Sequence, residues 1–357
     1  AACAVRIRVQ ASLRWNMIIR SAARRTRAIS RIYRAFFARA ANVPVQSLPL
    51  RALRRWMLTL PQPTNPVQPQ RARSQAAFVC ASRLAEAGAP QSSFPTGVDS
   101  LRRLLESIEE YEAFERYELI IADGDSRDPR TLRYYDILEK NKAAKIVRSK
   151  KDGFAALCNL GAAEAQSEAL LFLCRDAQVL TPDWLRALRE QLSRPGVGAA
   201  GGKLVNVGRR IVSAGDVAGL CGWLNSPYTG EPDDTSETRK NLFVNTIRRV
   251  TMLPGACMMV LSNTFENLNG FDETFSDAGA DMDFCLRLFR RGLASAYTPF
   301  AALLLHGTLP RIEDASTLTR MRCYDTLRPM LAAGDPFYSP HFDYNSTVPI
   351  VCANPKP

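Results

Sequence analysis

Short apolar runs and helical stripes alternate along the chain from about residue 95 onward. Val98 to Tyr111 places Leu101, Leu104, Leu105 and Ile108 at helical spacing and predicts an amphipathic helix. Tyr117-Glu118-Leu119-Ile120-Ile121-Ala122 predicts a short strand running into Asp123-Gly124-Asp125-Ser126. A helix over Thr131 to Lys142, a strand at Lys145-Ile146-Val147 and a small-residue helix over Ala155 to Ser167 follow. Leu170-Leu171-Phe172-Leu173 predicts a buried strand that ends at Arg175-Asp176. Asp183 to Ser193 predicts a helix with Trp184, Leu185, Leu188 and Leu192 on one face, and Gly198 to Val207 is glycine-rich and then strand-like. Strands alternating with helices at this spacing predict a mostly parallel sheet wrapped by helices. Beyond Gly208 the pattern loosens. Ser226 to Arg239 reads as a polar loop, Ala256 to Leu261 as a strand, Asp281 to Arg291 as a helix, and Ala294 to Leu305 as a strand ending at His306. No internal repeat is visible.

Charge divides the chain in two. The first acidic residue is Glu86, and before it lie sixteen arginines and no lysine. The remainder carries 31 basic against 35 acidic residues, so the net +12 belongs to the N-terminal segment. Residues 1–92 are therefore set apart as an arginine-rich extension from a domain over 93–345, followed by a tail over 346–357. The extension is open to several readings. Ser21 to Ala41 suits a basic amphipathic helix that lies on an anionic membrane or binds nucleic acid. The arginine-rich, acid-free start suits a transit peptide, and GC-rich DNA read in a wrong frame has the same texture. No nucleic acid is expected for the main domain. No run approaches the roughly 18 apolar residues that span a bilayer. The nine cysteines show neither CxxC pairs nor metal spacing with histidine, which suits buried thiols in a reducing, cytoplasmic setting, with peripheral contact to the inner membrane face left open.

Candidate chemistry collects at the ends of apolar segments. Two strands each run into an aspartate, Asp123 and Asp176, and ligands of open α/β sheets bind beyond the carboxyl ends of the strands. Either aspartate alone also suits a turn former or helix cap. Asp281 and Asp283 open a predicted helix, where the macrodipole favours acids and where a general base can equally be aimed into a cleft. His306 follows the run Ala301 to Leu305 and suits a structural role or, with an aspartate and diphosphate oxygens, a site for Mn²⁺ or Mg²⁺.

These strings, in this order, resemble family 2 glycosyltransferases. YELIIADGDSRD is similar to the first, Asp-rich motif, and GFAALCNLGAAEA to the glycine, asparagine and small-residue helix. LLFLCRDAQVLTPDWL resembles the strand bearing the DxD metal motif. GACMMVLSNTFENLNGFDETFSDAGADMDFCLRLFRRG resembles the acceptor-side block, YTPFAALLLHG the terminal strand and histidine, and DPFYSPHF the tail of O-antigen and rhamnosyl-type members. The resemblance implies a GT-A (Rossmann-like) α/β fold with a mixed, mostly parallel sheet flanked by helices. It implies an inverting, metal-dependent hexosyltransferase that moves a sugar from a UDP-, dTDP- or GDP-sugar to a glycan or lipid-linked hydroxyl in cell-surface polysaccharide synthesis. Asp123, Asp125, Ser126, Gly153, Asn159 and Arg175 would serve the nucleotide, and Asp176 and His306 the metal. Asp281 would be the base with Asp283 in support, and Gly255 and Ala256 would leave room for donor sugar and acceptor.

The chain departs from the pattern in three places. Cys174 stands at the first acidic position of the metal motif, and Ala280 precedes the base where Glu is common. The first strand of the fold, expected just before Val98, is not recognisable, and Ala76 to Ala81 looks a poor substitute. These departures motivate an alternative, a catalytically impaired sugar-nucleotide-binding or scaffold protein of the same fold.

Overall fold

The computed structural model describes residues 76–82, 97–111, 117–150, 153–233, 242–276 and 278–352. The basic helix proposed over Ser21 to Ala41 and the last five residues lie outside them. In chain order the elements are β1 (Ala76–Ser82), α1 (Gly97–Tyr111), β2 (Tyr117–Asp123), α2 (Pro129–Lys140), β3 (Lys145–Arg148), α3 (Phe154–Ala163), β4 (Ala169–Cys174) and β5 (Ala177–Val179). Then come α4 (Trp184–Leu192), β6 (Val197–Asn206), β7 (Ile211–Ser213), β8 (Val217–Ala218), β9 (Leu224–Asn225), α5 (Leu242–Asn245), β10 (Arg248–Val250) and β11 (Cys257–Leu261). The last are α6 (Ser262–Asn267), α7 (Ala280–Arg290), β12 (Ala294–Leu305) and α8 (Thr317–Ala333).

The main sheet runs in the order β10-β12-β6-β11-β4-β1-β2-β3, with β5 on β12 and β7 on β6. The arm from β4 through β1 and β2 to β3 is parallel. In the other arm β11 runs antiparallel to both β4 and β6, whereas β6 and β12 are parallel.

The run Ala76 to Ala81 corrects the sequence reading. It forms β1, the strand between β2 and β4, pairing from Ala76 opposite Tyr117 to Ser82 opposite Asp123. A strand covered on both faces does not alternate apolar with polar residues, and a run of small residues gives no strong signal. The close approach to this strand is set on the helix: a Cβ at Gly161 of α3 would collide with the Val79 side chain and meet Ala122. Helix α3 therefore lies close against β1 and β2. The loop predicted over Ser226 to Arg239 is seen as turns through residue 233, and the rest is outside the described residues.

Alternation along each strand sorts the core into two layers. Ile120, Leu170, Phe172, Met258 and Val260 face a layer shared with α3, α7 and α8. Leu119, Ile121, Leu171, Leu173 and Met259 face the opposite layer, filled by α1, α2 and α4. Full burial of each such side chain contributes roughly 1.5–3 kcal/mol. In the first layer Phe154, Phe172, Phe265, Phe271 and Phe284 stack with ring centroids 4.9–5.4 Å apart. Phe284 belongs to α7, so this aromatic cluster seats the helix that carries Asp281 against the sheet.

Candidate active site

Parallel strands bring their carboxyl ends to one edge, and most of the predicted site residues gather there. Asp123 ends β2, opposite Ser82 of β1, and Cys174 ends β4 on the far side of β1. At about 4.8 Å per strand, the ends of β2 and β4 are roughly 10 Å apart. Gly255 and Ala256 reach the same edge because β11 runs antiparallel to β4 and starts beside Leu173.

Backbone links stitch this edge together. The His306 N–H donates to the Asp176 carbonyl at 2.8 Å, so the two expected metal ligands are neighbours although 130 positions separate them. The Asp176 carboxylate also lies against Gly307, where a Cβ would come 3.1 Å from one carboxylate oxygen. The Cys174 N–H donates to the Ala256 carbonyl at 3.1 Å. The Gly255 N–H donates to Asp281 Oδ2 at 2.8 Å, and Asp281 Oδ1 accepts from the Met282 N–H at 2.9 Å. Cys174, two residues before Asp176, is thus tied to Ala256 by a main-chain bond, and the neighbouring Gly255 N–H to the Asp281 carboxylate.

The electrostatics differ from residue to residue. Burial raises the Asp281 carboxyl above the usual carboxylate range, only partly offset by the backbone donors of Gly255 and Met282, so it is a stronger base than a solvated aspartate. Burial lowers His306, the Arg103 charge lowers it further and Asp176 opposes them, which keeps the imidazole neutral at neutral pH. His306 Nε2 lies 3.0 Å from Gln178 Oε1. Burial pushes the Cys174 thiol up to about 11, with the Asp176 charge adding to it. Without a cation beside it the thiol therefore stays protonated at neutral pH. Arg175 Nε is 3.6 Å from Asp176 Oδ1, while its Nη1 is buried with no hydrogen-bond partner.

Other predicted residues have partners of their own. The fully buried Asp123 carboxylate accepts from the Ser126 hydroxyl, from the Ser126 N–H at 3.0 Å, from the Tyr135 hydroxyl at 3.1 Å and from Arg148 Nε at 3.2 Å. It orders the loop after β2 and holds Ser126 with it. Asp125 is exposed, with a left-handed φ of 63°, and pairs with Arg127. Gly153 precedes α3 at φ 99°, and a Cβ there would come 3.2 Å from the Ser276 carbonyl oxygen. Asn159 clamps α3 to the segment after α6: its Nδ2 donates to the Phe271 carbonyl at 2.8 Å, and its Oδ1 accepts from the Phe271 N–H at 2.9 Å. An open depression of about 460 Å³ beside this clamp is lined by Asn159, Asn269, Asp272, Glu273 and Arg287, and of the predicted site residues it takes Asn159. Asp283, expected to support the base, turns to Arg287 at 2.7 Å, whose other nitrogens bind the Leu268 and Gly270 carbonyls.

Three contributors escaped the sequence reading. Arg148 ends β3 next to Asp123, and a cation closing the strand beside an aspartate-ended one was the available signal. Tyr135 reaches the same carboxylate from α2. Asp216 lies in the irregular stretch after β7, where no periodicity marks it; burial pushes its carboxyl up to about 7, and the Asp281 charge adds to the rise.

Comparison with known proteins agrees with this geometry. Residues 97–239 match the family model described as Glycosyl transferase family 2. The O-antigen biosynthesis protein RfbC of Myxococcus xanthus is 31% identical over 253 residues, covering 70% of this chain and 20% of that protein. The uncharacterized protein y4gI of Sinorhizobium fredii is 28% identical over 225 residues, covering 62% of this chain and 24% of that protein. The chain thus spans about a fifth to a quarter of the length of these relatives. Among solved structures, GalNAc-T7 with UDP, GalNAc and Mn²⁺ superposes with a TM-score of 0.53 at 14% identity, over 71% of this chain and 48% of that one, a likeness of fold. The order of the strands, the motifs at their ends and the matched segment agree: residues 97–239 carry a match to glycosyltransferase family 2 within a GT-A fold, and the chain is similar to an O-antigen biosynthesis protein.

Proposed function

We propose that this domain moves a sugar from a UDP-, dTDP- or GDP-sugar to a hydroxyl of a glycan or lipid-linked acceptor, with inversion, in the synthesis of cell-surface polysaccharide. The observation that carries this reading is the main-chain path from Asp176 and His306 through Cys174 and Ala256 to Gly255 and Asp281. It supports a reading in which a polar pair suited to a diphosphate and its cation lies near a half-buried base.

Asp281 would take the proton of the acceptor hydroxyl as that oxygen attacks the anomeric carbon. Its raised proton affinity suits the task, and the Gly255 and Met282 N–H groups fix the orientation of the carboxylate, each oxygen keeping a further lone pair. Direct attack assisted by a base on the acceptor side inverts the anomeric centre. Arg175, short of hydrogen-bond partners and beside Asp176, is placed to offset phosphate charge.

The donor set at the metal position is Asp176 and neutral His306, acceptable to Mn²⁺ or Mg²⁺. Among the described residues no group of three or more His, Cys, Asp or Glu side chains gathers to hold an ion. Such an ion would draw its remaining ligands from diphosphate oxygens and water, and it would supply Lewis-acid stabilisation of the departing diphosphate. No described helix is long and apolar enough to cross a membrane. A lipid-linked acceptor would then be met at the membrane surface.

Asp281→Asn is the test. Transfer is expected to fall by at least about a hundredfold, the lower end of what general-base catalysis contributes, while nucleotide-sugar binding followed by calorimetry is retained. Parallel loss of donor binding would reassign Asp281 to the donor side. The protonated thiol at Cys174 favours the second reading, a binding or scaffold protein. Metal-dependent UDP binding by the unaltered chain without turnover of any sugar nucleotide would establish it.

A further inference from the structure

Among the described residues, Arg103 of α1 and Arg175 after β4 each bury an Nη1 that has no hydrogen-bond partner. Arg248 does so too, but its Nε and Nη2 bond the Phe243, Ala214 and Gly215 carbonyls. Arg103 makes no hydrogen bond or ion pair among the described residues, although Asp99 and Glu106 lie within helical reach of it. A buried cationic donor without an acceptor is costly, and a bound anion removes that cost. Arg103 lies toward the edge of the sheet that carries Asp176 and His306. Helix α1 ends at Tyr111 shortly before β2 starts at Tyr117, so its first turns point to the opposite edge, where β2 and β4 end. Strand β5 runs down from that edge too, being antiparallel to β12. The two elements are joined where the Ser107 hydroxyl accepts the Val179 N–H at 3.0 Å. Arg103 is one turn before Ser107 on the same face of α1, about 6 Å nearer the edge. Two residues of strand span about the same distance, so Arg103 is level with Ala177, the neighbour of Asp176. His306 is held there as well, by the Asp176 carbonyl and by Gln178. In agreement, burial and then the Arg103 charge lower the His306 imidazole.

We propose that Arg103 binds the diphosphate of the sugar nucleotide, its guanidinium meeting the phosphate oxygens from α1 while Arg175 meets them from the end of β4. This rests on the reading of Asp176 and His306 as the pair that receives the diphosphate and its cation. The planar fork of a guanidinium suits phosphate oxygens, and an unpaired one is ready to accept them without first breaking another bond. Cys174 stands where an acid is expected and His306 is neutral, so the balance of charge at this edge favours an anionic ligand. When the bond from the anomeric carbon to the diphosphate breaks, its electron pair leaves on the phosphate oxygen and the diphosphate gains negative charge. Cations already fixed beside it stabilise that charge without reorganising. Arg103 is held for this by Ser107, whose hydroxyl ties α1 to β5 one turn away.

The test is calorimetric titration of the full chain with UDP, dTDP and GDP, each with Mn²⁺ and at low and high salt, beside its Arg103→Gln, Arg103→Lys and Arg102→Gln variants. Arg103→Gln is expected to bind the preferred diphosphate about tenfold more weakly, the scale of one lost charge-assisted hydrogen bond, and with a shallower dependence on salt. Arg103→Lys keeps the charge and should keep the salt dependence. Arg102→Gln removes the exposed charge next door, which lies over the Tyr134 ring, and should leave binding unchanged. Without nucleotide, Arg103→Gln should melt no lower than the unaltered chain, because it removes an unpaired buried charge; a residue kept for packing alone gives the opposite result. Unchanged affinity in Arg103→Gln, an equal loss in Arg102→Gln, or a lowered melting temperature without nucleotide overturns the proposal. If the unaltered chain binds one of the diphosphates and Arg103→Gln binds it as well, Arg103 alone is reassigned. If the unaltered chain binds none of the three, the reading of the Asp176–His306 edge as the donor site falls, and this proposal with it.

Discussion

Gly255 shows how much one position can carry. Its N–H orients Asp281, and a Cβ would collide with the Phe154 ring, which packs against Phe271 in the aromatic cluster. Gly255→Ala is expected to destabilise by about 1–3 kcal/mol, the usual cost of overpacking a filled core, with a lower denaturation midpoint. Transfer should fall by more than the loss of folded protein accounts for, because Asp281 shifts as well. His306 offers an independent check. Its imidazole loses its proton at lower pH than ordinary histidine, whose pKa is about 6.5, so neutral imidazole persists into mildly acidic solution. Mn²⁺ with UDP is expected to raise the melting temperature of the unaltered chain at pH 6, and His306→Ala should abolish that rise. At this scale the sequence was informative where an ionisable residue follows a strand or opens a helix, as at Asp176, His306 and Asp281. It was silent about Asp216, which owes its place to the turn at Gly215 and a backbone bridge to Met252.

Among the elements, the stripes with large apolar residues were legible: α1 through Leu101, Leu104 and Ile108, and α4 through Trp184, Leu185 and Leu188, all buried as their spacing requires. Helix α8 was not foreseen. Its buried residues Thr319, Cys323, Leu327 and Met330 are mixed in polarity, Leu318, Met321 and Tyr324 are exposed, and Pro329 interrupts the pattern. Strand β1 was misjudged because a short run of mostly small residues without alternation gives a weak strand signal, and the residue that lets α3 approach it, Gly161, lies on the helix. The Asn159 clamp belongs to this scale, since it ties α3 to the segment that leads toward α7. Asn159→Ala removes both hydrogen bonds to the Phe271 backbone and leaves its N–H and carbonyl wanting partners. A loss of about 2–6 kcal/mol in chemical denaturation is expected, from roughly 1–3 kcal/mol for each of the two unsatisfied groups.

For the molecule as a whole, the compact unit holding the sheet runs from Ala72 to Pro357. A domain beginning at residue 93, as charge and composition alone would draw it, removes β1 and leaves β2 and β4 without their shared neighbour. A fragment over 72–357 is expected to unfold in a single cooperative transition, and one over 93–357 to lack it, as judged by circular dichroism during heating. Buried carboxyls add a pH signature. Asp216, Asp281 and Asp335 all bind their protons more tightly in the folded chain than solvated aspartate does, burial being the first cause in each. The folded state therefore takes up protons that the unfolded chain does not, and their contribution to stability grows as pH falls from 8 toward 5. Asp216→Asn is expected to flatten that slope near pH 7, measured as melting temperature against pH.

The contacts that join the two halves of the site are made by peptide groups: the His306 amide to the Asp176 carbonyl, and the Cys174 amide to the Ala256 carbonyl. Every residue except proline offers the same amide, and every residue the same carbonyl. The side chain at 174 is thereby released from holding the scaffold and can drift. An acid in place of the thiol at 174 leaves both main-chain bonds in place, so a directed-evolution campaign aimed at new donors would begin at that codon, whereas Ala256 is packed in the core and has little room for a larger group.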